Sequence, residues 1–345
     1  MMNREELTRK LQAYCDENFQ SGMLRVTIRD EIQYEAAFGW ADWENRIPFS
    51  KDSMFTLYSM SKPFCAMGFL KLKDRGLVDL DDHPARYVPE VAGIDSRVTF
   101  RHMLHHVSGL PSFGQMPEFK KAYAPGTHGR FREQLKLLKD YPMAFAPGTS
   151  DFYANINFAL PAFAIENITG MTYDAYMKQE VFTPLGMETV VVDEEGTVIP
   201  NRVQGYNLVD GQRIPVERSR DWMLGGGDLT GRVEDVYCLN KAVKHKLLLR
   251  EETWEEVLTP SPINNKGMGC TITQWHGKHR ITHNGGHRGF RTLHIHLPED
   301  DFDLIWLSNS GFGEARKDIA EMVYEVFYGS DETLSETVEM DKGYI

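Results

Sequence analysis

The segment Ser59-Met60-Ser61-Lys62-Pro63-Phe64-Cys65-Ala66-Met67-Gly68-Phe69-Leu70-Lys71-Leu72-Lys73-Asp74-Arg75-Gly76 decides how the chain is read. Phe64, Met67, Phe69, Leu70 and Leu72 recur at helical spacing, and Gly76 closes the run as a C-cap, so a helix is expected from Ser59 to Asp74. Its first turn is an S-x-x-K tetrad. Residues three apart on a helix are neighbours, which brings the Lys62 ammonium to the Ser59 hydroxyl. Serine is a weak nucleophile that needs an adjacent base or positive charge. A helix N-terminus adds N–H donors and partial positive charge for an oxyanion. Cys65, further along the same helix, reads as a core residue.

Upstream of this segment, Leu7, Leu11, Tyr14 and Phe19 predict an amphipathic helix over Glu5–Phe19. Two alternating runs follow, Leu24–Ile28 and Gln33–Phe38, joined by a hairpin turn at Arg29-Asp30-Glu31. Downstream, Pro84, Pro89, Pro111, Pro117 and Pro125 punctuate a region rich in turns, and Pro147-Gly148-Thr149 is a clear break. Helices are expected at Asn157–Thr169 and Tyr173–Phe182. Strand patterns return at Gly269–Gln274, Arg280–His283, Thr292–Leu297 and Asp303–Ser308, and a final amphipathic helix covers Glu314–Tyr328. Strands at both chain ends with helices between them predict one α/β (α+β) domain. In it an antiparallel sheet from both ends, residues 1–75 and 265–330, is flanked by helices and carries a mostly helical insertion, 76–264. Residues 331–345 read as an exposed acidic tail, and a cleft is expected between the two layers.

Composition narrows the function class. A chain of 345 residues with 41% apolar and 26% charged residues is an ordinary globular protein. Its formal charge of −12 argues against nucleic-acid binding, which rests on basic residues neutralising phosphates. No run is long enough for a membrane helix. The charged start Met1-Met2-Asn3-Arg4-Glu5-Glu6 has no apolar export segment behind it, so a cytoplasmic location is expected. Cys15, Cys65, Cys238 and Cys270 are scattered, which suits a reducing compartment and buried thiols.

Two more groups carry chemistry. Tyr153-Ala154-Asn155 offers a tyrosine that beside an ammonium loses its proton more easily and serves as a general base. Asn155 offers an amide for a substrate carbonyl and for holding Lys62. His283-Asn284-Gly285-Gly286 emerges from a strand, and its glycines let backbone approach a ligand or make a bulge or tight turn. His287-Arg288-Gly289 is a second H-x-G match. His102, His105 and His106 have helical metal-ligand spacing but no completing carboxylate or fourth ligand, so neither metal nor cofactor is expected. His294 and His296 share one strand face and read as packing residues.

The order and separation of Ser59, Tyr153 and His283 resemble the penicillin-recognising serine hydrolases, among whose members S-x-x-K is a known signature. Thr99–Pro111 looks like that family's histidine-serine-glycine-leucine-proline turn. Phe182–Met187 resembles its proline-leucine-glycine-methionine segment, and Gly225-Gly226-Gly227-Asp228-Leu229 its glycine-rich loop. The register of His283–Arg291 favours His283 over His287 as the third motif. The resemblance implies a β-lactamase-like fold and an acyl-enzyme on Ser59. It implies that Lys62 and Tyr153 share the proton work and that the N–H groups of Ser59 and Gly286, with Gly285 beside them, form the oxyanion hole. His283 stands where lysine is more common and is expected to bind a substrate carboxylate less dependably than a fixed ammonium. The implied substrate is a small molecule or peptide. An amide or short peptide is favoured, with D-stereospecificity open. A carboxylesterase, a β-lactamase, acyl transfer to a non-water acceptor and a catalytically idle peptide binder remain as alternatives.

Overall fold

The computed structural model describes residues 4–118, 132–193, 198–217 and 224–329; the expected tail lies outside the described residues. Two strands near the N-terminus, β1 (Gly22–Ile28) and β2 (Glu31–Phe38), join four near the C-terminus. These are β3 (Thr271–Trp275), β4 (Lys278–His287), β5 (Phe290–Leu297) and β6 (Phe302–Ser308). They form one six-stranded antiparallel sheet in the order β2-β1-β6-β5-β4-β3. The fold is the expected α/β arrangement with an antiparallel sheet built from both ends.

Local chemistry explains the hairpins. Arg29 and Asp30 take φ of 53° and 63°, the positive pair that a two-residue turn needs to follow the strands' right-handed twist. At the β4–β5 turn Gly289 has φ of 80°, and a Cβ there would sit 2.6 Å from Val216 Cγ2. This turn therefore packs directly on the chain around residue 205, where the Tyr206 N–H reaches the Gly289 carbonyl.

Alternation along the strands sends successive side chains to opposite faces. On the outer face, Leu24, Val26, Leu293, Ile295, Leu304 and Trp306 pack under helix α1 (Arg4–Glu17) and the C-terminal helix, here α5 (Ala315–Tyr328). Each buried large apolar side chain there is worth about 1.5–3 kcal/mol. The inner face meets the helical layer through Met23, Ile305 and Leu307. That layer is built on α2 (Lys62–Asp74), α3 (Ile156–Thr169) and α4 (Val233–Lys244), with α2 packed against α3. Pro161 lies within α3, and Gly170 ends it at φ 70°.

One expectation needs correction, and one alternative falls away. Ser59 does not open the α-helix: Tyr58–Ser61 form one 3₁₀ turn, and α2 proper starts at Lys62. A 3₁₀ turn also aligns residues three apart, so the pairing of Ser59 with Lys62 survives. The glycines 285 and 286 make neither bulge nor turn; they lie inside β4, paired with Thr292 and Arg291. A Cβ on Gly285 would fall 2.0 Å from the Leu57 carbonyl oxygen, so the glycine serves a close backbone approach between strand and 3₁₀ turn.

Candidate active site

The site is assembled where β4 meets the 3₁₀ turn. Tyr58 holds φ of 49°, unusual for a bulky side chain and worth about 1–3 kcal/mol of strain. Several contacts hold it there. Ser61 Oγ donates to the Tyr58 carbonyl at 2.7 Å and accepts the Leu229 N–H at 3.0 Å. The Leu57 N–H reaches the Leu229 carbonyl at 2.8 Å, and Thr292 Oγ1 donates to the Leu57 carbonyl at 3.1 Å. The Tyr58 ring is gripped edge-on by His287, centroids 5.3 Å apart. Ser59 follows directly and stays partly exposed, while Lys62 behind it is fully buried.

Lys62 joins the parts. Its Nζ donates to Ser59 Oγ at 3.1 Å, to Asn155 Oδ1 at 2.8 Å and to the Gly226 carbonyl at 2.5 Å. An ammonium has three N–H donors and no lone pair, and these three acceptors account for them. Tyr153 lies next to it: its ring centroid is 4.7 Å from Lys62 Nζ and 6.4 Å from the His283 ring. Ser59, Tyr153 and Asn155 are partly exposed as residues, while the Tyr153 hydroxyl itself and His283 are buried.

Beneath Tyr153 lies His106, stacked at 4.3 Å with 21° between the rings. Its Nδ1 accepts the Ala154 N–H at 3.3 Å and lies 3.2 Å from Asn157 Nδ2. Asn157 is fixed in turn by Ser108 Oγ at 2.6 Å. Burial, then the charges of Lys62, Lys266 and His283, hold the His106 imidazole well below its usual pKa, so it stays neutral. The family-like turn at Thr99–Pro111 thus supports the tyrosine. Among the described residues no cluster of His, Cys, Asp or Glu is arranged to hold a metal ion.

The glycine-rich loop contributes the Gly226 carbonyl and Asp228. Burial pushes the Asp228 carboxyl up to about 7, only partly offset by the Gly225 N–H that it accepts at 2.7 Å and by the Lys62 charge. On β4, His283 is buried and its Nδ1 lies 2.6 Å from the Asn284 carbonyl. Arg291 packs beside Gly286, 3.1 Å from where its Cβ would be. Sequence reasoning missed the Gly226 carbonyl, the His106 support, Arg291 and a buried lysine, Lys266, whose Nζ lies 5.9 Å from the Tyr153 ring centroid. The resemblance segments Thr99–Pro111, Gly225–Leu229 and His283–Arg291 contain His106, Gly226 and Arg291 but assigned them no contact, and nothing in the sequence pointed to Lys266.

Residues 6–325 match the profile of the Beta-lactamase family. The chain belongs to that family. It is thereby a serine hydrolase related to penicillin-binding proteins. It is 26% identical over 330 residues to a penicillin-binding protein of Bacillus subtilis, covering 89% of this chain and 72% of that one. It is 23% identical over 304 residues to a D-aminopeptidase of Gluconobacter oxydans, covering 84% of this chain but 55% of that one. Esterase EstB of Burkholderia gladioli is 31% identical over 267 residues, covering 68% of each chain. The octameric penicillin-binding protein homologue from Pyrococcus abyssi shares the fold, with a TM-score of 0.81 at 22% identity, over 96% of this chain and 78% of that one. Among the described residues no helix of this β-lactamase relative is long and apolar enough to cross a membrane.

Proposed function

We propose that the chain hydrolyses an amide or short peptide through an acyl-enzyme on Ser59, with a D-configured acyl residue as the preferred substrate. The observation that carries the proposal is Lys62, which joins Ser59, Asn155 and the Gly226 carbonyl by three hydrogen bonds and so fixes the nucleophile beside Tyr153. In this scheme Tyr153, as phenolate next to the Lys62 charge, takes the Ser59 proton while Oγ bonds to the substrate carbonyl carbon. The N–H groups of Ser59 and Gly286 stabilise the oxyanion of the tetrahedral intermediate. Collapse breaks the C–N bond, and Tyr153 returns the proton to the leaving amine. Water then attacks the acyl carbon, losing its proton to Tyr153; the C–Oγ bond breaks and Tyr153 passes that proton to Ser59 Oγ, which restores the hydroxyl. Asn155 is assigned to the substrate carbonyl as well as to Lys62.

The likeness to a D-aminopeptidase supports the D-amide substrate, and the likeness to EstB supports a second reading, a carboxylesterase with the same Ser59 chemistry. Release of p-nitroaniline from D- and L-alanine p-nitroanilide separates them, with wild type and Ser59→Ala run side by side. Release from the D-isomer alone, lost in Ser59→Ala, is the expected result. Release from neither, with turnover of acyl esters, would replace the amidase by the esterase.

A further inference from the structure

We propose that Asp228 is a positioning residue: its carboxylate closes the turn Gly225–Asp228 and so sets the Gly226 carbonyl that holds Lys62 against Ser59; this deepens, and rests on, the acyl-enzyme reading of Ser59.

The turn is closed by one side chain. Asp228 Oδ2 accepts the Gly225 N–H at 2.7 Å, and inside the loop so formed the Gly226 carbonyl accepts Lys62 Nζ at 2.5 Å. The chain leaving the turn is tied separately. The Asp228 carbonyl accepts the Asp193 N–H at 2.6 Å, the Leu229 N–H donates to Ser61 Oγ at 3.0 Å, and the Leu229 carbonyl accepts the Leu57 N–H. On the entering side the turn presses on α2 and α3. Gly225 has φ of 67°, and a Cβ there would lie 2.6 Å from the Phe158 carbonyl oxygen and 2.7 Å from Cys65 Sγ; one on Gly226 would lie 3.4 Å from Asn155. A displaced Gly225 therefore moves the Gly226 carbonyl, and with it the Lys62 ammonium. Among the described residues Asp228 makes no side-chain hydrogen bond to Ser59, Lys62 or Tyr153, so it acts through the loop.

A buried carboxyl is a costly latch if only an acceptor is needed. Oδ1 has no hydrogen-bond partner among the described residues, and an unpaired buried oxygen costs stability. What a carboxyl adds is charge, and a charged acceptor binds an N–H more strongly than a neutral one. Few groups face it. Lys62 on α2 favours the anion, and Asp193, itself bound by Arg202, opposes it. Burial keeps Cys65 and Tyr173 neutral, the thiol pushed up to about 12 and the phenol well above its usual value. Burial is also the largest influence on Asp228 and carries its carboxyl up to about 7. Above that pH the anion clamps Gly225. Below it the neutral acid is a weaker acceptor, and the turn that fixes Lys62 loosens.

Hydrolysis of p-nitrophenyl acetate from pH 5.5 to pH 9 tests this on wild type, Asp228→Asn and Asp228→Ala, with Ser59→Ala alongside. The pH dependence of kcat/KM reports groups of the free enzyme. Wild type should rise along a limb with its midpoint near 7. Asp228→Asn keeps the shape and an acceptor but is fixed in the neutral state. It should match wild type at the acid end, lack the limb, and be about tenfold slower at pH 8.5. Asp228→Ala removes the tie and should be slower by about 100-fold at pH 8.5. The limb persisting in Asp228→Asn, or Asp228→Ala working at the wild-type rate, overturns the proposal. So does a wild-type profile that is flat from pH 6 to pH 8, a result that needs no variant to fold. Hydrolysis undiminished in Ser59→Ala would bring down the acyl-enzyme reading instead. Ser59-dependent hydrolysis with an unmoved limb brings down the Asp228 assignment alone.

Discussion

The two faces of the central strands β1, β6 and β5 are built from the same alternation and do different work. Outward, Leu24, Val26, Leu293, Ile295, Leu304 and Trp306 meet α1 and α5 in an apolar layer. Inward, the same strands bury Arg25, Thr27, His294, His296 and Asp303 among the apolar residues. Some of these are paired: Arg25 binds Glu35 and Glu234, and His296 Nδ1 lies 2.8 Å from Asp303 Oδ1. His294, opposite His283 across the β4–β5 pair, makes no ring hydrogen bond among the described residues. Buried polar groups cost stability unless satisfied. The outer face is apolar along these strands, whereas the inner face sets polar groups among the apolar residues that meet the helical layer.

The difference is broken hardest at Lys62. Lys62→Met removes the charge that joins Ser59, Asn155 and Gly226, and kcat should fall by about a thousandfold or more while the melting temperature holds or rises. Steady-state kinetics beside a thermal melt check this; a large loss of stability would place Lys62 in the architecture instead. On the outer face the signature should reverse. Trp306→Ala should cost about 3–5 kcal/mol by denaturant titration and leave the activity of each folded molecule near wild type. His106 lies between these extremes, since it touches Tyr153 but no reacting atom. His106→Ala should lower kcat by about 10- to 100-fold with a smaller change in KM, and shift the pH–rate profile. A uniform loss without a profile change would reduce His106 to packing.

The smallest effect is expected at His294. Burial holds its imidazole down to about 3, so the folded state resists a proton that the unfolded chain accepts below about 6.5. The stability that it permits is present above about 6.5 and is lost as pH falls toward 3. His294→Leu should flatten that acid limb and leave stability at pH 8 within about 1 kcal/mol of wild type or slightly above it. Melting temperatures between pH 4 and pH 8 compare the two slopes.

Periodicity made the strands and the long helices legible, because a half-buried element leaves its repeat in the sequence. The Ser59–Lys62 pair was legible through spacing, and Tyr153 and His283 through their motifs. What stayed hidden has no side-chain signature. The Gly226 acceptor is a backbone carbonyl, and the use of Gly285 is a close approach to Leu57 that only the tertiary fold defines. Lys266 belongs to no motif, and His106 drew notice through a metal-like spacing and the Thr99–Pro111 turn, neither of which pointed to its stacking on Tyr153. Functional support here comes from residues that meet in space without any regular interval between them.

The central claim is the covalent role of Ser59. Intact-protein mass spectrometry after rapid acid quench with p-nitrophenyl acetate, on wild type and Ser59→Ala, tests it most directly. One acetyl group per wild-type chain, mapped to the peptide containing Ser59 and missing in the variant, is the predicted result. An adduct that persists in folded Ser59→Ala, or turnover by that variant at the wild-type rate, would contradict it.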